Sequence, residues 1–175
     1  AVLMDNFEIS EALDNLTVLV DTREQDTPRL KKRLADIGYP YKRQKLDFGD
    51  YSAICEIDGK QYDFSSVLAV ERKMSLDEIC NCFCRGRGRF TREFERAAQS
   101  GAKIYLLIED GSWEAAYAGK YRSQMSSKAF TASLLAWLAR YNCQLIFCKA
   151  ETSGKLIADI LYREVKERLE GMANE

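Results

Sequence analysis

Histidine is absent from the 175 residues of this chain, and neither sign of charge dominates. Without histidine, Ser-His-Asp and Cys-His catalysis, histidine-bound metal ions and histidine general bases are all excluded. Any chemistry must therefore use carboxylates, lysine, tyrosine, thiols or a metal ion held by oxygen. The 26 basic and 27 acidic residues give a net charge of −1, so no overall positive field argues for nucleic acid.

Membrane and secretory signals are also missing from the sequence. No apolar run approaches the roughly 20 residues that cross a bilayer, and the first residues lack the basic and apolar regions of a signal peptide. We therefore expect a cytoplasmic protein without a membrane partner. In that compartment the six cysteines are expected to be reduced thiols. Three of them form the run C-x-C-x-C at residues 80–84, a spacing that does not favour zinc.

Hydrophobic periodicity predicts strands that alternate with helices. Short apolar or β-branched runs predict strands at 17–24, 104–109 and 143–150, with two or three more between residues 41 and 73, around the turn Asp58-Gly59. Helices are predicted at 28–37, 75–83, 90–100, 126–142 and 152–170.

This order of elements implies an α/β sandwich with a mixed sheet, since a hairpin at Asp58-Gly59 makes part of the sheet antiparallel. The sandwich is expected to occupy residues 16–170 as one domain. Residues 1–15 are then an N-terminal extension, and residues 171–175 a C-terminal tail.

Charged side chains lie where predicted strands end. The run VLAVERK ends in Glu71, Arg72 and Lys73, and strand alternation places Glu71 and Lys73 on one face and Arg72 on the other. Folding about the Asp58-Gly59 turn places Asp50 opposite roughly residue 69, at the same end of the sheet, although the DFSS segment can shift this register. We therefore expect Asp50, Glu71 and Lys73 to lie close together.

Two more acids, Asp21 and Glu24, follow the first predicted strand and can join this group. Carboxylates around a gap bind Mg²⁺ or Mn²⁺, and such an ion makes a water easier to deprotonate and stabilises charge on a phosphate. A neighbouring lysine can orient that water or hold a phosphate oxygen. This set of residues suits phosphodiester cleavage without histidine. Taken singly, the same residues are also typical of solvated strand ends, turns and surface ion pairs.

The stretches VDTRE (20–24), GDY (49–51) and VERKMSLD (70–77) resemble the nuclease domain of the XPF/Hef-type structure-specific endonucleases. The signature of that family is Gly-Asp, a variable gap, Glu-Arg-Lys, three residues and Asp, and every position is filled here. The resemblance implies a restriction-endonuclease-like three-layer sandwich, with a central mixed β-sheet flanked by helices. The C-terminal helix-hairpin-helix modules that many members carry are not expected in these 175 residues.

The resemblance also implies roles for the acidic and basic residues of these motifs. Asp50 and Glu71 are expected to bind Mg²⁺ or Mn²⁺, and Asp21 and Glu24 to complete or support the acidic pocket as catalytic and metal-site residues. Lys73 is expected to position or activate the attacking water.

Arg72 and Asp77 are the remaining charged positions of the signature. The backbone carbonyl of Arg72 is a further candidate metal ligand. Its side chain is expected to be structural or to position the substrate, paired with Asp77 or another acid. We expect Asp77 to be a first-turn helix acid, because a negative charge there complements the helix dipole.

The basic segment RGRGRFTR, residues 85–92, is expected to be a flexible loop that enters a helix. Its arginines can hold phosphates through their guanidinium groups. Arg89 is the foremost candidate for substrate binding, since the family has an arginine at the corresponding place, followed by Arg85 and Arg92. The alternative is a solvated loop with ordinary helix charges.

These observations predict a Mg²⁺- or Mn²⁺-dependent endonuclease that cuts branched, flap or fork DNA in repair, recombination or replication-fork processing. The resemblance implies a homodimer or a complex with a partner subunit, and no small-molecule cofactor. Two alternatives stay open. One is a Holliday-junction or restriction-like nuclease with the same chemistry, and the other is a catalytically silent DNA-binding or scaffold subunit.

Overall fold

A computed structural model describes residues 5–173, and its centre is a mixed seven-stranded sheet. The strands are β1 Thr17–Val20, β2 Tyr41–Arg43, β3 Tyr51–Ile57, β4 Lys60–Asp63, β5 Leu68–Lys73, β6 Lys103–Glu109 and β7 Cys143–Cys148. Their order is β2-β1-β3-β5-β6-β7, and β4 pairs with β3 off this path. Strand β3 runs antiparallel to β1 and β5, whereas β5, β6 and β7 are parallel.

Helices cover both faces of the sheet. They are α1 Asn6–Asp14, α2 Pro28–Ile37, α3 Leu76–Phe83, α4 Arg87–Gln99, α5 Trp113–Tyr117, α6 Ser127–Arg140 and α7 Ser153–Ala173. Helices α1, α2 and α7 enclose one hydrophobic core, and α3, α4, α5 and α6 enclose a second core on the other face. The predicted three-layer α/β sandwich with a mixed sheet is therefore confirmed.

Polar caps explain where several helices begin. Thr27 accepts a hydrogen bond from the Leu30 amide, and Ser75 and Ser126 make the same kind of contact three residues ahead. Such a side chain satisfies a backbone N–H that has no partner within the helix. Proline at the first position of α2 fits there because it has no N–H to satisfy.

The central hairpin differs from the arrangement predicted from the Asp58-Gly59 turn. The turn connects β3 to the short strand β4, and residues 64–67 then lead into β5. Strand β5 pairs with β3 at Tyr51 and Val70, so the antiparallel register places Asp50 opposite residue 71 and not residue 69. The shift brings the Asp50 backbone directly against the Glu-Arg-Lys segment.

Helix α4 begins earlier than predicted. Gly86 precedes its first turn, and Arg87 and Arg89 are helical, so the expected flexible loop through residues 85–89 is wrong. Phe90 explains the early start, because its ring packs on Phe83 and Trp137 and anchors the first turn to the core.

The two ends of the described chain are helical. Residues 6–14 of the expected extension form α1, whose Ile9, Ala12 and Leu13 are buried in the core beside α7. At the other end α7 continues through residue 173, into the segment expected to be a tail. Residues 1–4 and 174–175 of the predicted end segments lie outside the described residues. None of the helices in residues 5–173 combines the length and the apolar character needed to cross a membrane.

Position 49 requires glycine, because of its backbone conformation and because of a close neighbour in β5. Its φ is +77°, and a Cβ atom at this position would lie 2.4 Å from the Cβ of Ala69 in β5. Any larger residue must therefore push the β3 entry away from β5. Gly59 has the same backbone geometry, with φ +78°, but a Cβ there would meet nothing within 4 Å.

This pair of glycines gives a controlled prediction. Gly59→Ala should cost about 1–2 kcal/mol, because only the left-handed backbone is penalised. Gly49→Ala should cost roughly 1–3 kcal/mol more, because the clash with Ala69 adds overpacking strain. Urea unfolding of both variants measures the difference, and equal losses of stability would show that the close approach is not a constraint.

Candidate active site

Asp50, Glu71 and Lys73 converge at the end of the sheet where β3 begins. The Asp50 amide donates to the Val70 carbonyl at 2.8 Å, and its Oδ2 accepts from the Arg72 amide at 2.7 Å. These two bonds hold the Asp50 carboxyl beside that of Glu71, so each affects the pKa of the other. On the same face, Lys73 Nζ lies 3.4 Å from Glu71 Oε1.

Glu71 is buried and Asp50 is partly buried, so solvent stabilises the charge of each carboxyl group less than it would in water. Glu71 is 4% exposed, and its buried Oε2 has no hydrogen-bond donor in the described range 5–173. Burial, followed by the charge of Asp50, raises the pKa of Glu71 well above its ordinary value. Burial, followed by the charge of Glu24, raises the pKa of Asp50 to about 7. The pair therefore favours a proton or a cation between its oxygens.

Lys73 remains a cation in this setting. Burial alone would lower its pKa, but the nearby Glu71 and Cys82 oppose that effect, and the pKa of Lys73 is raised. Its Nζ also lies 3.8 Å from Glu78 Oε1 and 5.3 Å from the centre of the Phe90 ring. The ammonium is thus held in place by charges and by an aromatic face.

The two acids of the first motif are engaged in protein contacts. Asp21 is 1% exposed, and its oxygens accept from the Leu46 amide at 2.8 Å and from Arg23 Nε at 2.6 Å. Glu24 Oε2 accepts from the Tyr51 hydroxyl at 3.1 Å and lies 3.6 Å from Arg33 Nη1. Asp21 therefore stabilises the loop after β1, and Glu24 lies at the edge of the site.

Arg72 points to the other face of the sheet, away from Glu71 and Lys73. Its guanidinium makes two hydrogen bonds to Glu109, at 2.6 and 2.8 Å, and is 14% exposed. Arg33 lies 4.0 Å from the same carboxylate. A guanidinium held in this way stabilises the junction of the sheet with α2, so its geometry does not support substrate binding by the Arg72 side chain.

Asp77 lies in the first turn of α3 and pairs with backbone groups, not with Arg72. Its Oδ1 accepts from the amides of Arg122 and Ser123, both at 2.8 Å. These bonds attach the segment before α6 to α3, so Asp77 orders a loop beside the site.

The predicted phosphate-binding arginines are exposed around the start of α4. Arg85 precedes the helix, and Arg89 and Arg92 lie three residues apart on one side of it. Arg96 extends the same side by one turn, and its Nε donates to the Asp47 carbonyl at 2.8 Å. Because that carbonyl belongs to the segment leading to Asp50, the row of arginines borders the acidic site.

Two acids near the site were not singled out from the sequence. Glu78 of α3 lies near Lys73, and Glu93 of α4 accepts from the Gly49 amide at 2.9 Å. The only sequence signal for Glu93 is its place on α4, at the edge of the apolar stripe of Phe90, Phe94 and Ala97.

The donor set fits a magnesium-like ion. Asp50 and Glu71 offer carboxylate oxygens, and the buried Glu71 Oε2 accepts no hydrogen bond from the part of the chain that the structure describes. Across residues 5–173 no set of three or more His, Cys, Asp or Glu side chains converges to hold a metal ion. Mg²⁺ commonly binds through only one or two carboxylates and keeps several waters. An open site with two protein carboxylates is consistent with that preference, and with a site for Mn²⁺.

The raised pKa of Asp50 leads to a prediction about pH. In the folded protein Asp50 keeps its proton up to about pH 7, whereas in the unfolded chain its pKa is the ordinary 3.8. The unfolded chain therefore loses this proton first, and the metal-free protein should lose stability as pH rises from about 4 to 7. Asp50→Asn keeps an acceptor for the Arg72 amide but cannot ionise. Its loss of stability between pH 5 and pH 8 should be smaller, by up to about 1.4 kcal/mol per unit of pKa shift. Urea unfolding in EDTA at both values measures this, and identical pH dependence in both proteins would contradict it.

Comparisons with known proteins show the family and the fold of this chain. Residues 20–160 match the ERCC4 domain family, whereas no curated protein matches the chain. The fold is similar to the structure of XPF from Aeropyrum pernix, with a TM-score of 0.58 and 23% identity over 85% of this chain and 60% of that one. The chain thus spans less than two thirds of that archaeal protein. Since the family match covers most of the sequence, including every acid and lysine of the site, this chain belongs to the ERCC4 domain family.

Proposed function

We propose that this chain is a Mg²⁺- or Mn²⁺-dependent endonuclease that hydrolyses phosphodiester bonds in branched or flapped DNA, during repair, recombination or replication-fork processing. One observation carries the proposal: Asp50, Glu71 and Lys73 meet at one end of the sheet, where a buried Glu71 oxygen has no hydrogen-bond donor among the described residues. Membership of the ERCC4 domain family supports it.

Asp50 and Glu71 would hold the divalent ion. When bound, such an ion makes a water easier to deprotonate and stabilises the charge that develops on the phosphate. The contribution of the chain is to keep the two carboxylates together against their repulsion. The Arg72 amide does this for Asp50, and Lys73 does it for Glu71. An ion that neutralises both groups also favours their ionised forms.

Lys73 acts at the phosphate side of the reaction. Its raised pKa makes it an ammonium at neutral pH, so it donates hydrogen bonds to a phosphate oxygen or orients the attacking water. Its side chain is 12% exposed, and its contacts with Glu71 and Glu78 fix where the donor points. Because side chains alternate along β5, Arg72 lies on the opposite face, where it stabilises the sheet through Glu109.

Arg89 and Arg92 provide a positive surface for the DNA backbone, and Arg85 and Arg96 extend it. Arg89 and Arg92 lie on the exposed side of α4. Guanidinium groups three residues apart on one side of a helix can contact successive phosphates. Such contacts position the protein on the DNA without recognising the base sequence. Such a surface suits recognition of DNA shape.

We propose that the chain forms a homodimer or binds a partner subunit through a small apolar surface. The apolar faces of α6 and α7 are largely used inside the molecule, with Phe130, Trp137 and Leu161 fully buried. Leu135 of α6, which is 48% exposed, is left for an intermolecular contact.

The nuclease proposal predicts metal-dependent cleavage that needs both charges. End-labelled flap, fork, four-way and linear duplex DNAs are incubated with Mg²⁺, Mn²⁺ or EDTA. Asp50→Asn and Lys73→Met should each lower the cleavage rate by at least about 10²-fold, because metal binding and the positioned cation are lost. The cleavage products distinguish a flap or fork enzyme from a Holliday-junction or restriction-like one.

Matched controls lie on the opposite face of the molecule. Asp159→Asn and Lys155→Met repeat the two substitutions in an exposed pair on α7, whose side chains are 66% and 78% exposed, and should cleave like the wild type. Wild-type protein that binds these DNAs but cuts none with either metal would contradict the nuclease proposal and favour a scaffold subunit.

A further inference from the structure

Glu93 is the one acid of the site that comes from α4. It lies outside the signature motifs, and yet its carboxylate reaches across to Gly49, accepting the amide at 2.9 Å. The same carboxyl lies near enough to Glu71 to help raise the pKa of that group. Glu93 is therefore bonded to the Gly-Asp segment and lies close to the Glu-Arg-Lys strand.

Glu93 adds a second negative charge near the buried carboxylate of Glu71. Glu71 is 4% exposed, and no donor within residues 5–173 bonds to its Oε2. Lys73 lies 3.4 Å from the other oxygen, Oε1. Two carboxylates without a donor between them repel each other, and burial makes that repulsion stronger. The unsatisfied Glu71 oxygen thus points to a cation on this side of the site.

We propose that Glu93 is a third carboxylate of the divalent-ion site, and that it binds a water in the hydration shell of the ion. The inference rests on the proposed function, since it concerns the same ion. Contact through water agrees with the absence of three converging side-chain ligands in residues 5–173. It also agrees with the reluctance of Mg²⁺ to lose its waters. Glu93 is then a positioning residue that favours the ion through its negative charge.

The alternative role for Glu93 is purely structural. Its oxygen would then serve only as an acceptor for the Gly49 amide, which fastens α4 to the entry of β3. Glu93→Gln separates the two roles, because glutamine keeps a carbonyl oxygen for that amide but removes the charge. Glu95 offers a matched control on the same helix, since its Oε1 accepts from the Tyr141 hydroxyl at 2.7 Å and Glu95→Gln keeps that acceptor.

The experiment measures Mn²⁺ binding directly, without DNA, from the electron paramagnetic resonance signal of free Mn²⁺. The wild type, Glu93→Gln, Glu95→Gln and Asp50→Asn are titrated at one pH above 7. We expect Glu93→Gln to weaken Mn²⁺ binding by about 10- to 100-fold, the usual effect of losing an outer-shell partner. Glu95→Gln should bind like the wild type, and Asp50→Asn should lose most of its binding. Glu93→Asp, which keeps the charge on a shorter arm, should recover part of the affinity.

The outcomes distinguish a failure of the proposed role of Glu93 from a failure of the proposed metal site. Equal Mn²⁺ affinity in Glu93→Gln and the wild type, with Asp50→Asn impaired, would overturn the role of Glu93 and leave the proposed metal site intact. Wild-type protein that binds no Mn²⁺ would overturn both. If Glu93→Gln does not fold, Glu93→Asp decides: affinity that falls while Glu95→Asp stays unchanged supports the proposal, and unchanged affinity in both contradicts it.

Discussion

The close approach of Gly49 to β5 is the constraint on which the rest of the site depends. A Cβ atom at Gly49 would lie 2.4 Å from Ala69, so only glycine lets the backbone come this near. At that distance Asp50 exchanges hydrogen bonds with Val70 and Arg72. The carboxyl of Asp50 is thereby placed beside Glu71 before any ion is present, and the cost of assembling two like charges is met by the folding of the sheet.

Strand alternation divides the Glu-Arg-Lys segment into two tasks. Glu71 and Lys73 face the α3 and α4 side, where the free carboxylate oxygen and the ammonium lie together. Arg72 faces the α2 side and is held by Glu109. Breaking such a buried pair leaves an uncompensated charge, so a change at Arg72 would act on the site through the fold. One short strand thus carries the proposed catalytic side chains on one face and part of their structural support on the other.

Much of this arrangement could be predicted from the sequence. Strand alternation alone separated Arg72 from Glu71 and Lys73, and the Gly-Asp pair marked the neighbouring strand. Helix caps at Thr27 and Ser75 were equally readable, because capping depends on local sequence.

Other features depend on contacts between distant residues, which periodicity does not report. The register of β3 and β5 depends on how residues 60–67 fold, and β4 occupies the place next to the turn. The contact between Glu93 and Gly49 joins residues 44 positions apart. In sequence, Glu93 resembles its neighbour Glu95, and only the packing of Phe90 and Phe94 against the core shows which of them reaches the site.

We propose that Asp50 and Glu71 form an open site for a divalent cation. An anomalous-difference map from crystals of the protein soaked in Mn²⁺, collected near the manganese absorption edge, would locate that ion. We expect a peak next to the two carboxylates, on the face of the sheet that carries Lys73, and loss of the peak in Asp50→Asn. Clear density for both side chains with no peak beside them, at an Mn²⁺ concentration that supports full occupancy elsewhere, would contradict it.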